Sequence, residues 1–398
     1  MPFKAAAERI DLDAAKVVRR LTRAGFSAFL VGGCVRDLLL DRKPKDFDVA
    51  TDARPSEMRS LFRNCRVIGK RFKLAHVTFA GGKVIEVATF RKDPTLLADP
   101  GDDWEAPEGE SDPRRRPGED QDLLIRHDNV FGTPPEDAAR RDFTMNALFY
   151  DLERREVVDW VGGLDDIERR VIRTIGEPDV RFREDPVRIL RAIKFAARID
   201  LGIEPDTFDA MLAHREDLLR AARPRLLEEV LRLMRGGASR RSIWLAWETG
   251  VLAVLLPELS SFLDDDPEGR ATLWKRLRVI DAMVADGDSP SDAVLLASLT
   301  AEPAAEHLDG ARDLTGAVTD FYEEMQLRLA IPRKMYDRLR QVVATQRRIK
   351  AGRHAPLARR DFFPEAATLW SIEQRALGKS PEAIARHLDA GHRAARAS

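Results

Sequence analysis

The sequence predicts an α+β protein, an N-terminal α/β head followed by an all-α body, and three observations carry that expectation. In roughly the first 90 residues, helical apolar stripes alternate with short apolar runs fit for buried strands. Two β-rich runs, residues 76–79 and 84–90, flank Gly81-Gly82, which is a hairpin signal. From about Glu168 onward the apolar residues recur at helical spacing almost without interruption.

Each element follows from local chemistry. Over residues 13–23, Ala14, Val17, Val18 and Leu21 share one helical face, and Gly25 supplies a stop. Residues 27–31 make a short buried strand, and the Gly32-Gly33 pair leads into a helix ending near Leu40. Residues 47–51 read as a second strand, and Pro55 sits at the first position of a helix running through Met58, Leu61 and Phe62. Residues 92–122 are rich in Pro, Gly, Asp and Glu with few apolar positions, too few to order themselves by burial, and are expected to form a mobile acidic loop. Residues 143–152 and 157–161 resume the head. Residues 185–197, with Ile189, Leu190, Ile193 and Phe195 or Ala196 inward, open the helical body, which residues 226–234 and 252–256 continue. The expected division is a head over 1–167, a helical neck over 168–260 and a helical body with a basic tail over 261–398.

The composition excludes several classes. Of 398 residues, 44% are hydrophobic and 33% charged, a globular balance rather than a disordered or fibrous one. No apolar run approaches the roughly 20 residues a bilayer crossing needs, and the first residues lack a signal-peptide core, so a cytoplasmic location is expected. Two cysteines, Cys34 and Cys65, exclude a disulfide framework, and the scattered histidines show no zinc spacing. The net charge of -1 conceals opposed segments. Residues 97–122 hold ten acidic and three basic residues, residues 333–398 hold fifteen basic and six acidic, and residues 59–73 hold six basic and none acidic. Localised positive charge suits a polyanionic partner, although solvated helix faces give the same pattern.

The chemistry concentrates in Gly32-Gly33-x-x-Arg36-Asp37 followed by Asp46-x-Asp48. A strand ending in Gly-Gly before a helix lets backbone N–H groups approach a phosphate. Alternate strand residues face one side, so Asp46 and Asp48 are expected to project together, as hard Mg²⁺ ions that also take phosphate oxygens require. Taken singly, Gly-Gly is often a turn and Asp-x-Asp a surface feature; their order and spacing favour the functional reading. Glu86 interrupts the apolar run Val84-Ile85-Glu86-Val87-Ala88 and is a third candidate carboxylate, the alternative being an edge-strand charge facing water.

These residues resemble a known family. Leu30-Val31-Gly32-Gly33-Cys34-Val35-Arg36-Asp37 and Lys45-Asp46-Phe47-Asp48-Val49 look like the head of the class II nucleotidyltransferases, the tRNA CCA-adding enzymes and bacterial poly(A) polymerases. The likeness continues at Arg140-Arg141-Asp142-Phe143-Thr144-Met145-Asn146, at Gly162-Gly163-Leu164-Asp165-Asp166 and at Arg183-Glu184-Asp185-Pro186-Val187-Arg188, and spans residues 25–260 or so. The resemblance implies a polymerase-β-like nucleotidyltransferase head with Asp46 and Asp48 catalytic and holding Mg²⁺, and Glu86 joins them as a catalytic candidate from its own setting. It implies a nucleotide-binding set of Gly32, Gly33, Arg36, Asp37, Arg141, Asp142, Asn146, Glu184, Asp185 and Arg188. In that set Arg141 and Asp142 would meet the ribose 2′-hydroxyl, while Glu184, Asp185 and Arg188 would read the base edge in place of a template. Without the resemblance, the last three read as an acidic cap with an intrahelical ion pair.

The stretch Phe62-Arg63-Asn64-Cys65-Arg66-Val67-Ile68-Gly69-Lys70-Arg71-Phe72-Lys73-Leu74-Ala75-His76-Val77, and the lead-in Leu124-Ile125-Arg126-His127-Asp128-Asn129-Val130-Phe131-Gly132, look like bacterial poly(A) polymerases rather than CCA-adding enzymes. The implied activity is addition of AMP from ATP to RNA 3′ ends with release of pyrophosphate, and the alternative is CCA addition from CTP and ATP. A catalytically silent RNA-binding protein is expected to lose Asp46 or Asp48, and both are present. Arg347, Arg348, Lys350, Arg353, Arg359 and Arg360 are candidates for RNA phosphate contacts, or for a solvated helix face. His76, in a β-rich run, reads as a satisfied structural histidine.

Overall fold

Seven strands of the first half build one mixed sheet. The computed structural model describes residues 7–69, 73–92, 130–265 and 267–397. The expected acidic loop, apart from Lys92, and the stretches 70–72 and 124–129 lie outside those residues. Helix α1 (Leu12–Arg23) starts at Asp11, whose side chain accepts hydrogen bonds from the Asp13 and Ala14 amides, and it buries Ala14, Val17, Val18 and Leu21. Strand β1 (Ala28–Val31), helix α2 (Gly33–Leu39), strand β2 (Asp48–Thr51) and helix α3 (Pro55–Leu61) follow, close to their expected bounds. Strands β3 (Cys65–Ile68), β4 (Leu74–Thr78) and β5 (Val84–Thr89) come next. The β4–β5 hairpin forms as expected, with Gly81 and Gly82 at its turn. The edge strand β3, four residues long with none fully buried, is not among the strands expected from the sequence.

The chain then supplies α4 (Pro134–Ala139), a short turn at Thr144–Asn146, β6 (Phe149–Asp151), β7 (Glu156–Val158), α5 (Gly163–Glu168), β8 (Val171–Ile172) and α6 (Pro178–Glu184). The sheet order is β3-β4-β5-β2-β1-β6-β7, antiparallel except for the β2–β5 pair. On one face, Val31, Ala50 and Phe149 pack with Phe90, Ala138, Ala147 and Ile175 around partly buried Phe29, Val158 and Val161. Burying one such aromatic side chain is worth about 1.5–3 kcal/mol. Phe29 meets Phe149 edge-on at 5.9 Å, and Phe149 meets Trp160 edge-on at 5.1 Å. The strand residues of the opposite face, Leu30, Val49, Ala75, Val77, Ile85 and Val87, are all buried.

The chain divides into two compact units, Met1–Asp185 with Gly202–Ala210, and Pro186–Leu201 with Met211–Ser398. After α7 (Val187–Ile199) comes β9 (Gly202–Ile203), which returns to the first unit by pairing in parallel with β8. The first unit runs to Asp185, so β8 and α6 belong with the sheet, and residues 211–398 fall in the second unit.

That second unit is helical throughout, as expected. Helix α8 (Pro205–Ala213) leads into it, followed by α9 (Arg223–Arg235), α10 (Ser239–Glu248), α11 (Val251–Leu255), α12 (Pro257–Asp265), α13 (Pro267–Ala285), α14 (Asp292–Leu299), α15 (Ala301–His307), α16 (Leu314–Leu329), α17 (Arg333–Lys350), α18 (Phe363–Ala376) and α19 (Pro381–Ala397). From Ala293 to Leu299 every residue of α14 is buried, which marks it as a core helix rather than a surface one. Arg276 is buried beside it, with its Nε donating to the Ser298 carbonyl at 2.8 Å and its guanidinium paired with Glu302. No described helix is long and apolar enough to cross a membrane.

Candidate active site

The sheet brings the candidate carboxylates together in an unexpected way. Asp48 opens β2, but Asp46 lies before the strand, so the pair does not arise from strand alternation. Instead the parallel register sets Asp48 directly beside Glu86 of β5. Asp46, Asp48 and Glu86 are all exposed, yet the Asp48 carboxyl is also crowded enough by protein to be desolvated. Desolvation, reinforced by the charges of Glu86 and Asp46 and opposed by Arg141, pushes its carboxyl up to about 6. A carboxylate that touches water on one side and is enclosed on the others meets both descriptions. Glu86 has a second neighbour, His76 of β4, whose Nε2 stands 3.3 Å from Glu86 Oε1. That nitrogen is buried and has no hydrogen bond among the described residues, so His76 is not the satisfied structural histidine expected from its setting.

Gly32 and Gly33 join β1 to α2. Gly32 has φ 72°, a conformation that favours glycine, and a Cβ there would crowd Arg141 Nη1 at 3.0 Å. Beside this turn is a buried polar network. Arg36 donates through Nε and Nη2 to Asp37 Oδ1 at 2.9 and 2.6 Å, and through Nη1 to Asn146 Oδ1 at 2.6 Å. Asn146 Nδ2 donates to Asp142 Oδ1 at 3.0 Å, and its backbone carbonyl accepts from Arg141 Nη1 at 3.2 Å. The structure thus gathers Gly32, Gly33, Arg36, Asp37, Arg141, Asp142 and Asn146 into one cluster. Arg36 braces that cluster rather than lying open on its surface.

Sequence reasoning missed the residue that holds the arginines. Asp137, only 2% exposed, accepts from Arg140 Nε at 3.1 Å, from Arg141 Nη2 at 3.0 Å and from the Arg91 amide at 3.2 Å. Burial would raise its pKa, but the two guanidinium groups outweigh that and hold the carboxyl below the usual range. The available signal was Asp at i with Arg at i+3 and i+4 on a helix opened by a Thr133–Glu136 capping box. A second missed function belongs to Gly163. A Cβ there would stand 2.3 Å from the Thr144 carbonyl oxygen, and Thr144 Oγ1 donates to buried Asp166 at 2.5 Å. The Gly162-Gly163-Leu164-Asp165-Asp166 block therefore buttresses the turn that presents Asn146.

Glu184 ends α6 and is buried; Arg181 Nη1 donates to its Oε2 at 2.7 Å. Arg181 Nη2 also donates to the Arg140 and Arg141 carbonyls at 2.9 and 2.6 Å, tying Glu184 to the Arg140–Asp142 block within the first unit. Asp185 follows as the C-cap of α6. Arg188 is buried near the start of α7, in the second unit, so the division of the chain falls inside this motif.

The donor set suits a hard cation. No group of three His, Cys, Asp or Glu side chains among the described residues is arranged as a metal cage. Mg²⁺ rarely uses one, taking one or two carboxylates and completing its shell with water and substrate phosphates. Asp46 and Asp48 carry oxygen donors of that kind. Burial first, and then the neighbouring carboxylates, hold the Asp48 pKa up, and a bound cation would offset both by favouring the charged form.

The chain is similar to known proteins over most of its length. Residues 28–173 match the family described as "Poly A polymerase head domain", and residues 200–263 match "Probable RNA and SrmB-binding site of polymerase A". Poly(A) polymerase I of Salmonella typhimurium is 37% identical over 352 residues, covering 85% of this chain and 72% of that protein. Poly(A) polymerase I of Haemophilus influenzae is 38% identical over 301 residues, covering 75% and 63%. Among solved structures, the Bacillus stearothermophilus CCA-adding enzyme in complex with CTP aligns with a TM-score of 0.69 at 25% identity, covering 94% of this chain and 81% of that one.

Proposed function

This chain belongs to the class II tRNA nucleotidyltransferase and poly(A) polymerase family, and from that premise we propose that it is a poly(A) polymerase, transferring AMP from ATP to RNA 3′ ends without a template. The observation that carries the reading is the pairing of Asp48 with Glu86, next to a Gly32 turn crowded by Arg141, in a chain so similar to poly(A) polymerase I over most of its length.

Enzymes of this family generally use divalent metal ions, and here Asp46 and Asp48 would hold Mg²⁺, which supplies Lewis-acid stabilisation of the transferring phosphoryl group. The protein's own residues orient the reactants. The Gly32-Gly33 backbone, free of Cβ atoms, lets the triphosphate approach closely, and Arg36, Asp37 and Asn146 keep that turn rigid. Arg141, locked by Asp137, places a fixed positive charge beside Asp48, and with Asp142 it is proposed to meet the ribose 2′-hydroxyl. Glu184, Asp185 and Arg188 are proposed to read the adenine edge, for which a guanidinium fork and carboxylates offer suitable donors and acceptors. Arg347, Arg348, Lys350, Arg353, Arg359 and Arg360 are all exposed, as sequence-independent contacts to RNA phosphates require.

The test gives the protein Mg²⁺ with an unstructured RNA, or with a tRNA ending before its CCA, and ATP alone, CTP alone or both. Long A-tails with ATP alone are expected on either RNA. Addition that needs CTP and stops after CCA would instead assign the chain to the CCA-adding branch.

A further inference from the structure

The sheet row that carries Asp48 and Glu86 continues over two more strands. The register pairs Asp48 of β2 with Glu86 of β5, Glu86 with His76 of β4, and His76 with Arg66 of β3. Directly paired residues point to the same face, so the four side chains form one line across the sheet. Within it the Glu86 side chain is 50% exposed and that of His76 only 24%, so the imidazole is the better anchored of the two. Its Nε2 is shut off from water and has no hydrogen bond among the described residues, while Glu86 Oε1 lies 3.3 Å away, off the bonding angle. A buried nitrogen left in that state is costly, and a small turn of the half-exposed Glu86 carboxylate closes the bond.

We propose that His76 is a positioning residue: its Nε2–H donates to Glu86 and keeps that carboxylate turned along the row toward Asp48. The inference rests on the reading of Glu86 as a catalytic carboxylate and deepens it. Glutamate has three side-chain torsions, and an unrestrained one on an open sheet face samples many positions. Catalytic geometry does not tolerate this, because a displacement of about 1 Å costs up to about 100-fold in rate. Both the neutral Nε2–H tautomer and the imidazolium donate, so the role does not depend on titration. It also gives the stretch over residues 62–77 a link to the reaction. In that stretch Ala75 and Val77 point into the core, Arg66 stands one strand further out, and His76 reaches Glu86.

The test compares the wild type with Glu86→Gln, His76→Ala and His76→Gln, measuring kcat and KM for ATP on an RNA primer. Alongside it, ¹⁵N NMR follows the imidazole of the metal-free protein. Glu86→Gln is expected to lower kcat about 100-fold and His76→Ala about tenfold, with KM for ATP within about twofold. The glutamine amide donates from nearly the same place, so His76→Gln is expected to return kcat to within about threefold of wild type. The His76 ring signal should show a protonated Nε2 and should move in Glu86→Gln. The proposal is overturned by normal kcat in His76→Ala when Glu86→Gln is impaired, by a His76→Gln variant no better than alanine, or by a ring signal indifferent to Glu86→Gln. Normal kcat in Glu86→Gln instead removes the catalytic reading of Glu86, and the positioning role with it. If the alanine variant does not fold, the glutamine variant and the NMR signal decide.

Discussion

Two halves of one sheet face behave differently. Around β1, β2 and β6 the face is covered by residues 130–175, its aromatics interlock, and the guanidinium groups of Arg36 and Arg141 bond to protein partners. Across β5, β4 and β3 the same face is more exposed among the described residues, with Ile68 at 43% and Val84 at 40% exposure beside Arg66 and Glu86 and a half-buried His76. Asp48 stands on the border. The covered half supplies rigid, pre-paired positive charge, while the open half supplies accessible carboxylates. A nucleotidyl transfer needs both, since phosphates must be held by groups that do not move and an RNA end must still reach them.

The contrast is sharpest at its border, where Asp48→Ala is expected to reduce AMP transfer at least about 1000-fold while leaving RNA affinity within about twofold. A gel assay of tail length and a filter-binding isotherm check this, and retained turnover would remove Asp48 from the chemistry. In the covered half, Asp137→Ala removes the buried carboxylate that pairs with two partly buried guanidinium groups and is expected to destabilise the protein by about 3 kcal/mol, read as a lower urea midpoint. An unchanged midpoint would mean that Arg140 and Arg141 find other partners.

A pH series probes the border without catalysis. The folded pKa of Asp48, about 6, lies above its ordinary value of 3.8, so the folded state binds the proton more tightly. The charged carboxylate therefore weakens the fold fully above about pH 6, and the penalty disappears as pH falls toward 4. In metal-free buffer Asp48→Asn is expected to stabilise the protein at pH 8 by about 1 kcal/mol, a figure reduced for solvent screening of an exposed group. That gain should vanish at pH 4, as thermal melts at the two pH values would show, and an equal gain at both would contradict the raised pKa. The smallest effect belongs to the open half, where Ile68→Thr should change stability by less than about 0.5 kcal/mol in the same melts. A larger loss would show that this face is covered.

Sequence alone determined a good deal. Strand alternation, Gly-Gly before a helix, Pro55 at a helix start and the 3.6-residue stripes of the body are local signals, written in neighbouring residues, and the elements formed where those signals stand. Asp46, Asp48 and Glu86 were legible from residue type and spacing, whereas the Arg140–Asp142 and Glu184–Arg188 blocks stood out only through the family resemblance. Tertiary structure decided what depends on register and on distant chain. It set Glu86 beside Asp48 across 38 residues of sequence, joined Arg36 to Asn146 across 110, made Asp137 the anchor of Arg141, and turned Gly163 into a buttress of the Thr144 turn. It also left the β3–β4–β5 half of that sheet face the more exposed one among the described residues. The physical reason is that a period-two pattern says which side chains share a face, but which part of that face is covered depends on where a remote segment packs.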